Sequence, residues 1–136
     1  CTGGYLSHMF TSIPGSSKHF KGGIVAYSNE IKMKFLDVSP ETLSKNGAVS
    51  EQTVIEMAKG SLKKFETDFS IAVSGIAGPD GGSDEKPVGT IWVAVADKNK
   101  VITEKFLHGE DRGRNIIKAS ISAINILRKL LIENCW

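Results

Sequence analysis

The sequence predicts an α/β fold, specifically a three-layer α/β/α domain with a mixed sheet. Two apolar, β-rich runs, residues 69–73 and 91–96, have the pattern of strands that are covered on both faces. Amphipathic patterns over residues 51–65 and after Asp111 predict helices that pack on such a sheet. Helices on both sides of apolar strands give three layers.

Length and composition indicate one domain over residues 1–136. The chain is 40% hydrophobic and 24% charged, which is typical of a soluble globular domain large enough to bury a core. The opening residues, Cys1 to Gly4, have the composition of a turn between a strand and a helix. We therefore expect the domain to be truncated at its N-terminus, with a further strand before Cys1.

Charge and cysteine content argue against several classes of function. The net charge is +2, with 17 basic and 15 acidic residues and no basic block, so we expect no nucleic-acid partner. No apolar run approaches the roughly 20 residues that span a bilayer, so we expect no membrane partner and, by default, a cytoplasmic location. Cys1 and Cys135 lack the paired spacing of a zinc site, and we expect reduced thiols and no metal.

The first half of the chain begins with a short helix within residues 2–11. A turn follows, and residues 20–27 have the pattern of a buried strand. Residues 29–36 form a short helical pattern. Ser39 and Pro40 are typical of the start of another helix, which Asn46-Gly47 would end.

The second half is dominated by two amphipathic helices and three strands. Ser50 is expected to cap the first helix, and its predicted core face consists of Val54, Met57, Ala58, Leu62 and Phe65. Residues 101–106 alternate more and predict an edge strand, joined to residues 91–96 by a turn at Lys98-Asn99. Asp111 is expected to cap the last helix, and its predicted core face consists of Ile117, Ile121, Ile124, Leu127 and Leu131.

The loop from residues 74 to 90 is explained least by packing. It holds five glycines and two prolines among seventeen residues, a composition that specifies backbone shape. Both an ordered Ω-like connection and a functional loop fit this composition.

Three groups of residues could carry chemistry. Residues 1–4 could offer backbone amides to an anion or oxyanion. Tyr27 and Lys32 could act in proton transfer, although a half-buried strand tyrosine and a solvated helix lysine fit the same pattern. In the loop, Ser74, Gly75 and Gly78 could direct hydroxyl and amide donors at a carbonyl or phosphate.

Several ordered motifs resemble one known family. They are Cys1-Thr2-Gly3-Gly4, Gly23-Ile24-Val25-Ala26-Tyr27-Ser28-Asn29-Glu30 with Lys32, Gly47-Ala48-Val49-Ser50-Glu51, Ser74-Gly75-Ile76-Ala77-Gly78-Pro79 with Gly81-Gly82, Lys86-Pro87-Val88-Gly89-Thr90, and Asp111-Arg112. Together they resemble the C-terminal domain of the CinA (competence-damage-inducible protein) family, whose stand-alone form is a nicotinamide-nucleotide amidase. The resemblance spans nearly the whole chain.

The resemblance implies hydrolysis of the carboxamide of nicotinamide mononucleotide, without a metal or other cofactor, to nicotinate mononucleotide and ammonia. Such a reaction serves pyridine nucleotide salvage. In the family, a Ser just before the Cys-Thr-Gly-Gly motif is the nucleophile, and its activating partners carry over to Lys32 and Tyr27. The chain as written starts after that Ser. We therefore expect it to be inactive, because either the native protein continues upstream or this copy has lost activity.

The same resemblance implies a small-molecule nucleotide as the partner. The expected substrate contacts are Thr2, Gly3, Gly4, Asn29, Ser74, Gly75, Gly78 and Arg112. Arg112 could pair with the phosphate, because a guanidinium matches phosphate bidentately, but a solvated charge in the first turn of a helix fits equally well.

Two other functions remain open at this point. Cys1 could be an N-terminal nucleophile with its own amino group as base. Alternatively, the domain could be a non-catalytic nucleotide-binding or interaction module of a larger protein. The edge strand and the long last helix also favour a homo-oligomer, most simply a dimer.

Overall fold

A computed structural model describes residues 1–135. The helices are α1 (Tyr5–Thr11), α2 (Asn29–Leu36), α3 (Pro40–Asn46), α4 (Glu51–Phe65) and α5 (Arg112–Cys135), with a 3-10 turn at Ser16–Lys18. The strands are β1 (Ser70–Gly75), β2 (Thr90–Ala96) and β3 (Val101–Leu107). The α/β class is confirmed. None of the helices described in residues 1–135 combines the length and apolar character needed to cross a membrane.

The three strands form one sheet in the order β1-β2-β3. Both pairings are antiparallel, with Val73 opposite Val93 and Val93 opposite Glu104. The predicted tight connection between β2 and β3 is confirmed, since the Asp97 amide donates to the Lys100 carbonyl. A mixed sheet needs a parallel pairing as well, and the strands described in residues 1–135 contain none.

Helices cover the sheet on both faces, as predicted. Alternate residues of a strand point to opposite faces, and β2 is buried on both. Its Ala94 and Ala96 pack with α4 residues such as Val54 and Met57. Its Ile91, Val93 and Val95 pack with the α5 residues Ala119, Ala123, Ile126 and Leu130. This sandwich fixes the ends of β1 and β2, where the loop of residues 76–89 emerges.

The predicted helix starts are confirmed by their caps. The hydroxyls of Ser39 and Ser50 accept from the amides of Thr42 and Thr53, at 3.1 and 3.2 Å. Similarly, Asp111 accepts from the Arg114 amide at 2.7 Å. Such caps satisfy amides that the first turn of a helix leaves free, so short local signals set these boundaries.

The predicted strand over residues 20–27 is wrong. These residues form no strand, and Val25 and Tyr27 are 55% and 68% exposed. The apolar run Ile24 to Ala26 has the right composition, but a strand also needs a neighbour that accepts and donates backbone hydrogen bonds. No strand described in residues 1–135 pairs with it.

The buried face predicted for the last helix is wrong in part, since Leu127 packs against the core but other predicted positions are exposed. Ile117 and Ile121 are 43% and 53% exposed. The buried positions are instead Asn115, Ala119, Ser120, Ala123, Ile126 and Leu130. In the first half of α5, small residues face the sheet and allow the helix to approach β2 closely, which leaves Ile117 and Ile121 outside, whereas Ile126 and Leu130 complete the buried face further along.

Candidate functional site

Three segments that are distant in sequence meet at one edge of the sheet. They are the turn before α1, the junction from Tyr27 into α2, and the loop after β1. A Cβ atom placed on Gly75 would lie 3.0 Å from Cys1 Sγ, so the turn and the end of β1 are in contact. Arg112 donates to the Gly78 carbonyl at 2.7 Å and to the Tyr27 hydroxyl at 3.2 Å, which joins the loop to the junction.

Lys32 is the buried cation of this site. It lies one turn into α2, whose start is fixed by the Ser28 hydroxyl accepting from the Ile31 amide at 3.2 Å. The side chain is only 6% exposed, and Nζ donates to the Ala26 carbonyl at 2.8 Å. Burial lowers the pKa of Lys32, because desolvation disfavours the ammonium form. Such an amine is suited to accept a proton.

Cys1 is half-buried at the start of the turn before α1. Its side chain packs with the core beneath α5 and lies beside Gly75 at the end of β1. Cys1 therefore joins the turn before α1 to the sheet core.

Tyr27 and Asn29 flank the start of α2 and are exposed. The Tyr27 hydroxyl accepts the hydrogen bond from Arg112 and so keeps its own proton to donate elsewhere. Asn29 is the first residue of α2. The substrate contacts of Tyr27 and Asn29 stay predictions.

The turn before α1 contains Thr2, Gly3 and Gly4. The helix begins at Tyr5, later than the predicted residue 2. Gly3 and Gly4 have φ values of 60° and 95°, a left-handed conformation that favours glycine. The Tyr5 amide donates to the Thr2 carbonyl at 3.0 Å, which closes the turn beside Cys1.

The loop residues predicted to contact substrate differ in their burial and in their partners within the chain. The Ser74 side chain is buried, and its hydroxyl donates to the Ala48 carbonyl at 2.6 Å. Gly75 leaves room for Cys1. Gly78 has a φ of 90°, and its carbonyl accepts from Arg112. Ser74 thus anchors β1 to the start of α4, while Gly75 and Gly78 border the site.

Asn115 anchors the loop after β1, a role that the sequence did not predict. It is 1% exposed, and its Nδ2 donates to the carbonyls of Ala77 and Gly109 at 2.9 and 2.8 Å. It lies three residues after Arg112, so one turn of α5 holds two successive loop carbonyls, those of Ala77 and Gly78. The sequence signal for this role is the spacing of Asn115, Ala119 and Ala123, which places a polar residue on the same helix face as two small residues.

A cavity of about 880 Å³ adjoins the site. Cys1 to Gly4 and Tyr27 contribute to its wall, but Lys32 and Arg112 do not. The cavity continues along β1, away from Lys32 and Arg112. Within residues 1–135, no group of three or more His, Cys, Asp and Glu side chains is placed to hold a metal ion.

Comparisons with known proteins converge on one family. The model of the CinA C-terminal domain matches residues 1–131. A CinA-like protein from Cytophaga hutchinsonii is 52% identical over 133 residues, which cover 98% of this chain and 32% of that protein. The chain thus spans about a third of the length of such CinA-like relatives.

Shorter relatives match over most of their length. The nicotinamide-nucleotide amidohydrolase PncC of Escherichia coli K12 is 45% identical over 135 residues, which cover 98% of this chain and 82% of that protein. The crystal structure of the competence/damage-inducible protein CihA from Agrobacterium tumefaciens superposes with a TM-score of 0.94 at 40% identity. That match covers 96% of this chain and 80% of the Agrobacterium chain.

Proposed function

Because the chain belongs to the CinA C-terminal domain family, we propose that it forms the active-site domain of a nicotinamide-nucleotide amidase. The substrate is nicotinamide mononucleotide, and the products are nicotinate mononucleotide and ammonia. The name and 45% identity of the PncC relative support this activity. The observation that carries the proposal is the buried amine of Lys32, whose Nζ donates to the carbonyl of Ala26, the residue before Tyr27.

The proposed nucleophile is the serine that the family resemblance places immediately before Cys1. A serine hydroxyl is a weak nucleophile until a neighbouring base accepts its proton. Lys32 suits that role because desolvation favours its neutral form.

The reaction then follows two balanced steps. Lys32 accepts the proton of the serine hydroxyl as the oxygen attacks the carboxamide carbon, and the proton passes to the departing amide nitrogen. Ammonia leaves and an ester joins serine to the nicotinoyl group. Lys32 next accepts a proton from water, hydroxide attacks the ester, and the serine oxygen regains a proton as nicotinate mononucleotide forms. The Tyr27 hydroxyl donates a hydrogen bond to the developing charge.

Ammonia release from nicotinamide mononucleotide by the intact protein tests the proposal. Lys32→Ala should lower kcat by about 100-fold or more, because it removes the base. Tyr27→Phe should also lower kcat, by about tenfold or more, because it removes one hydrogen bond in the transition state. Tyr27 is exposed, so Tyr27→Phe leaves the core packing unchanged.

The chain supplies a matched control for each change. Lys34 is exposed on the same helix as Lys32, and Tyr5 lies in α1, so Lys34→Ala and Tyr5→Phe should leave kcat close to that of the unaltered protein. Full activity of both Lys32→Ala and Tyr27→Phe would contradict the assigned roles. Loss of activity on Cys1→Ala alone would favour Cys1 as the nucleophile.

A second candidate is a nucleotide-binding or interaction domain without catalysis. Its support is that the chain spans about a third of relatives named only CinA-like. Calorimetry separates the two functions. Binding of nicotinamide mononucleotide to the intact protein with no ammonia release would favour the second candidate over the amidase.

A further inference from the structure

Side-chain hydrogen bonds hold the loop of residues 76–89 to distant parts of the chain at two places. Near its start, the carbonyls of Ala77 and Gly78 accept from the α5 side chains Asn115 and Arg112. Near its end, the Lys86 Nζ donates to the carbonyl of Asn46 at 2.7 Å. Lys86 thus joins the loop to the connection between α3 and α4, which lies 40 residues earlier in the chain.

The connection that receives Lys86 is itself firmly held. Asn46 is the last residue of α3, so its carbonyl has no donor within the helix and is free to accept from a basic side chain. The next carbonyl, that of Gly47, accepts from the hydroxyls of Ser50 and Thr53 at 3.0 and 2.7 Å. A Cβ on Gly47 would lie 3.2 Å from the Lys86 Nζ, so the glycine leaves room for the amine. Lys86 is therefore attached to a rigid part of the molecule.

The tip of the loop, residues 80–85, has little else to hold it. All of its residues are exposed. The Ser83 amide donates to the Lys86 carbonyl at 2.9 Å, and the Lys86 amide donates to the Ser83 hydroxyl at 3.0 Å. Within residues 1–135, the tip makes no hydrogen bond to another element except through Lys86. The position of the tip therefore depends on this one side chain.

We propose that Lys86 is a positioning residue, which holds the loop in place and thereby keeps the Tyr27 hydroxyl oriented. The contacts run from the loop to Tyr27 through Arg112, which donates to the Gly78 carbonyl at 2.7 Å and to the Tyr27 hydroxyl at 3.2 Å. This inference rests on the proposed amidase function, in which Tyr27 donates to the charge that develops in the transition state. Loss of the Lys86 contact should therefore affect kcat more than KM.

Amide hydrogen exchange in the intact protein tests whether Lys86 holds the loop. Lys86→Met keeps the aliphatic stem and removes the donor, so the amides of Ser83 and Gly89, both bonded within the loop, should exchange faster by about threefold or more. The amides of Val93 and Val95 should not change, which would show that the sheet is intact. Lys45→Met is the matched control, because Lys45 is an exposed lysine in the last turn of α3. Unchanged exchange at Ser83 and Gly89 in Lys86→Met would overturn the proposal, whether or not the protein is an amidase.

Kinetics of the intact protein test whether the loop positions Tyr27. Lys86→Met should lower kcat for nicotinamide mononucleotide by about fivefold and change KM by less than about twofold. Lys86→Arg should restore kcat, because a guanidinium can donate to the same carbonyl. In a Tyr27→Phe background, Lys86→Met should have little further effect, since the hydroxyl that it positions is gone.

Two kinetic results would contradict the positioning role. They are an unchanged kcat in Lys86→Met, and an equal loss of kcat with and without the Tyr27 hydroxyl, which a general structural role would produce. Absence of ammonia release by the unaltered protein would instead contradict the proposed function. In that case the exchange of the Ser83 and Gly89 amides still decides whether Lys86 holds the loop.

Discussion

At the scale of single residues, Lys32 and Arg112 are two cations with different surroundings. Lys32 is buried and its amine has one carbonyl partner, Ala26. Arg112 is exposed, yet its guanidinium joins the Gly78 carbonyl to the Tyr27 hydroxyl. The sequence suggested a phosphate partner or a solvated charge for Arg112, whereas these contacts favour a role in positioning Tyr27.

Arg112→Gln distinguishes positioning from phosphate binding in the intact protein. If Arg112 positions Tyr27, kcat should fall by about tenfold for nicotinamide mononucleotide and for nicotinamide riboside alike, since the riboside lacks only the phosphate. A rise in KM for the nucleotide alone would instead indicate phosphate binding. Arg114→Gln is the control, because Arg114 is an exposed arginine in the same turn of α5.

The burial of Lys32 should be visible in the pH dependence of stability. Its pKa is lowered from the ordinary value of 10.5, so the unfolded chain binds more protons at this site in the window just below pH 10.5. The free energy of unfolding should therefore gain a contribution that rises with pH across that window. Lys32→Met should lack this contribution, whereas Lys34→Met should retain it. Denaturant titrations at several pH values measure this dependence. If the free energy of unfolding had the same slope against pH in both variants, the effect of burial would be contradicted.

At the scale of elements, α2 is held against α4 by a close contact at Gly60. A Cβ on Gly60 would overlap the carbonyl oxygen of Leu36, the last residue of α2. Since backbone atoms cannot move aside like a flexible side chain, this glycine sets the distance between the two helices. The position of Lys32, one turn before Leu36, depends on that distance.

Replacing glycine by alanine at two helix positions should change the free energy of unfolding in opposite directions. Gly60→Ala should lower the free energy of unfolding by about 2 kcal/mol, because α2 must move away from α4. Gly113→Ala in α5 should raise it by about 0.5 kcal/mol, because its nearest neighbour, Asp111 Oδ1, lies at an ordinary 3.5 Å and alanine favours helix. Urea denaturation measures both. A neutral Gly60→Ala would show that the contact is not tight in solution.

At the scale of the whole molecule, Asn115 joins parts that are distant in sequence. Its side-chain amide links α5 to the loop after β1 through Ala77 and to the connection after β3 through Gly109. This arrangement fixes Arg112 beside Tyr27. Self-association through the β3 edge or α5 stays a prediction.

Asn115→Ala should lower the free energy of unfolding by about 2 kcal/mol, since it leaves two carbonyls without their donor. It should also lower ammonia release by the intact protein, because the loop and Arg112 lose their common support. Asn125→Ala on the same helix should change stability by less than about 0.5 kcal/mol, as its partner Arg128 is exposed. Similar effects of the two changes would argue against a special role for Asn115.

The sequence by itself determined the α/β class, the starts of α2 to α5 and the paired strands β2 and β3. Caps such as Ser39 and Asp111 act over three residues, and apolar runs report burial directly, so these features depend on local chemistry. The motifs also indicated the family and the three segments that form the candidate site. Lys32 was found because its neighbours in sequence match the family's motif.

Only the tertiary structure decided which partners each residue has. α5 offers two faces at helical spacing, and close approach to β2 selected Ala119 and Ala123 over Ile117 and Ile121. Residues 20–27 have strand composition, yet pairing requires a neighbouring strand from elsewhere in the chain. The roles of Ser74, Arg112 and Asn115 likewise depend on carbonyls distant in sequence, which no local pattern specifies.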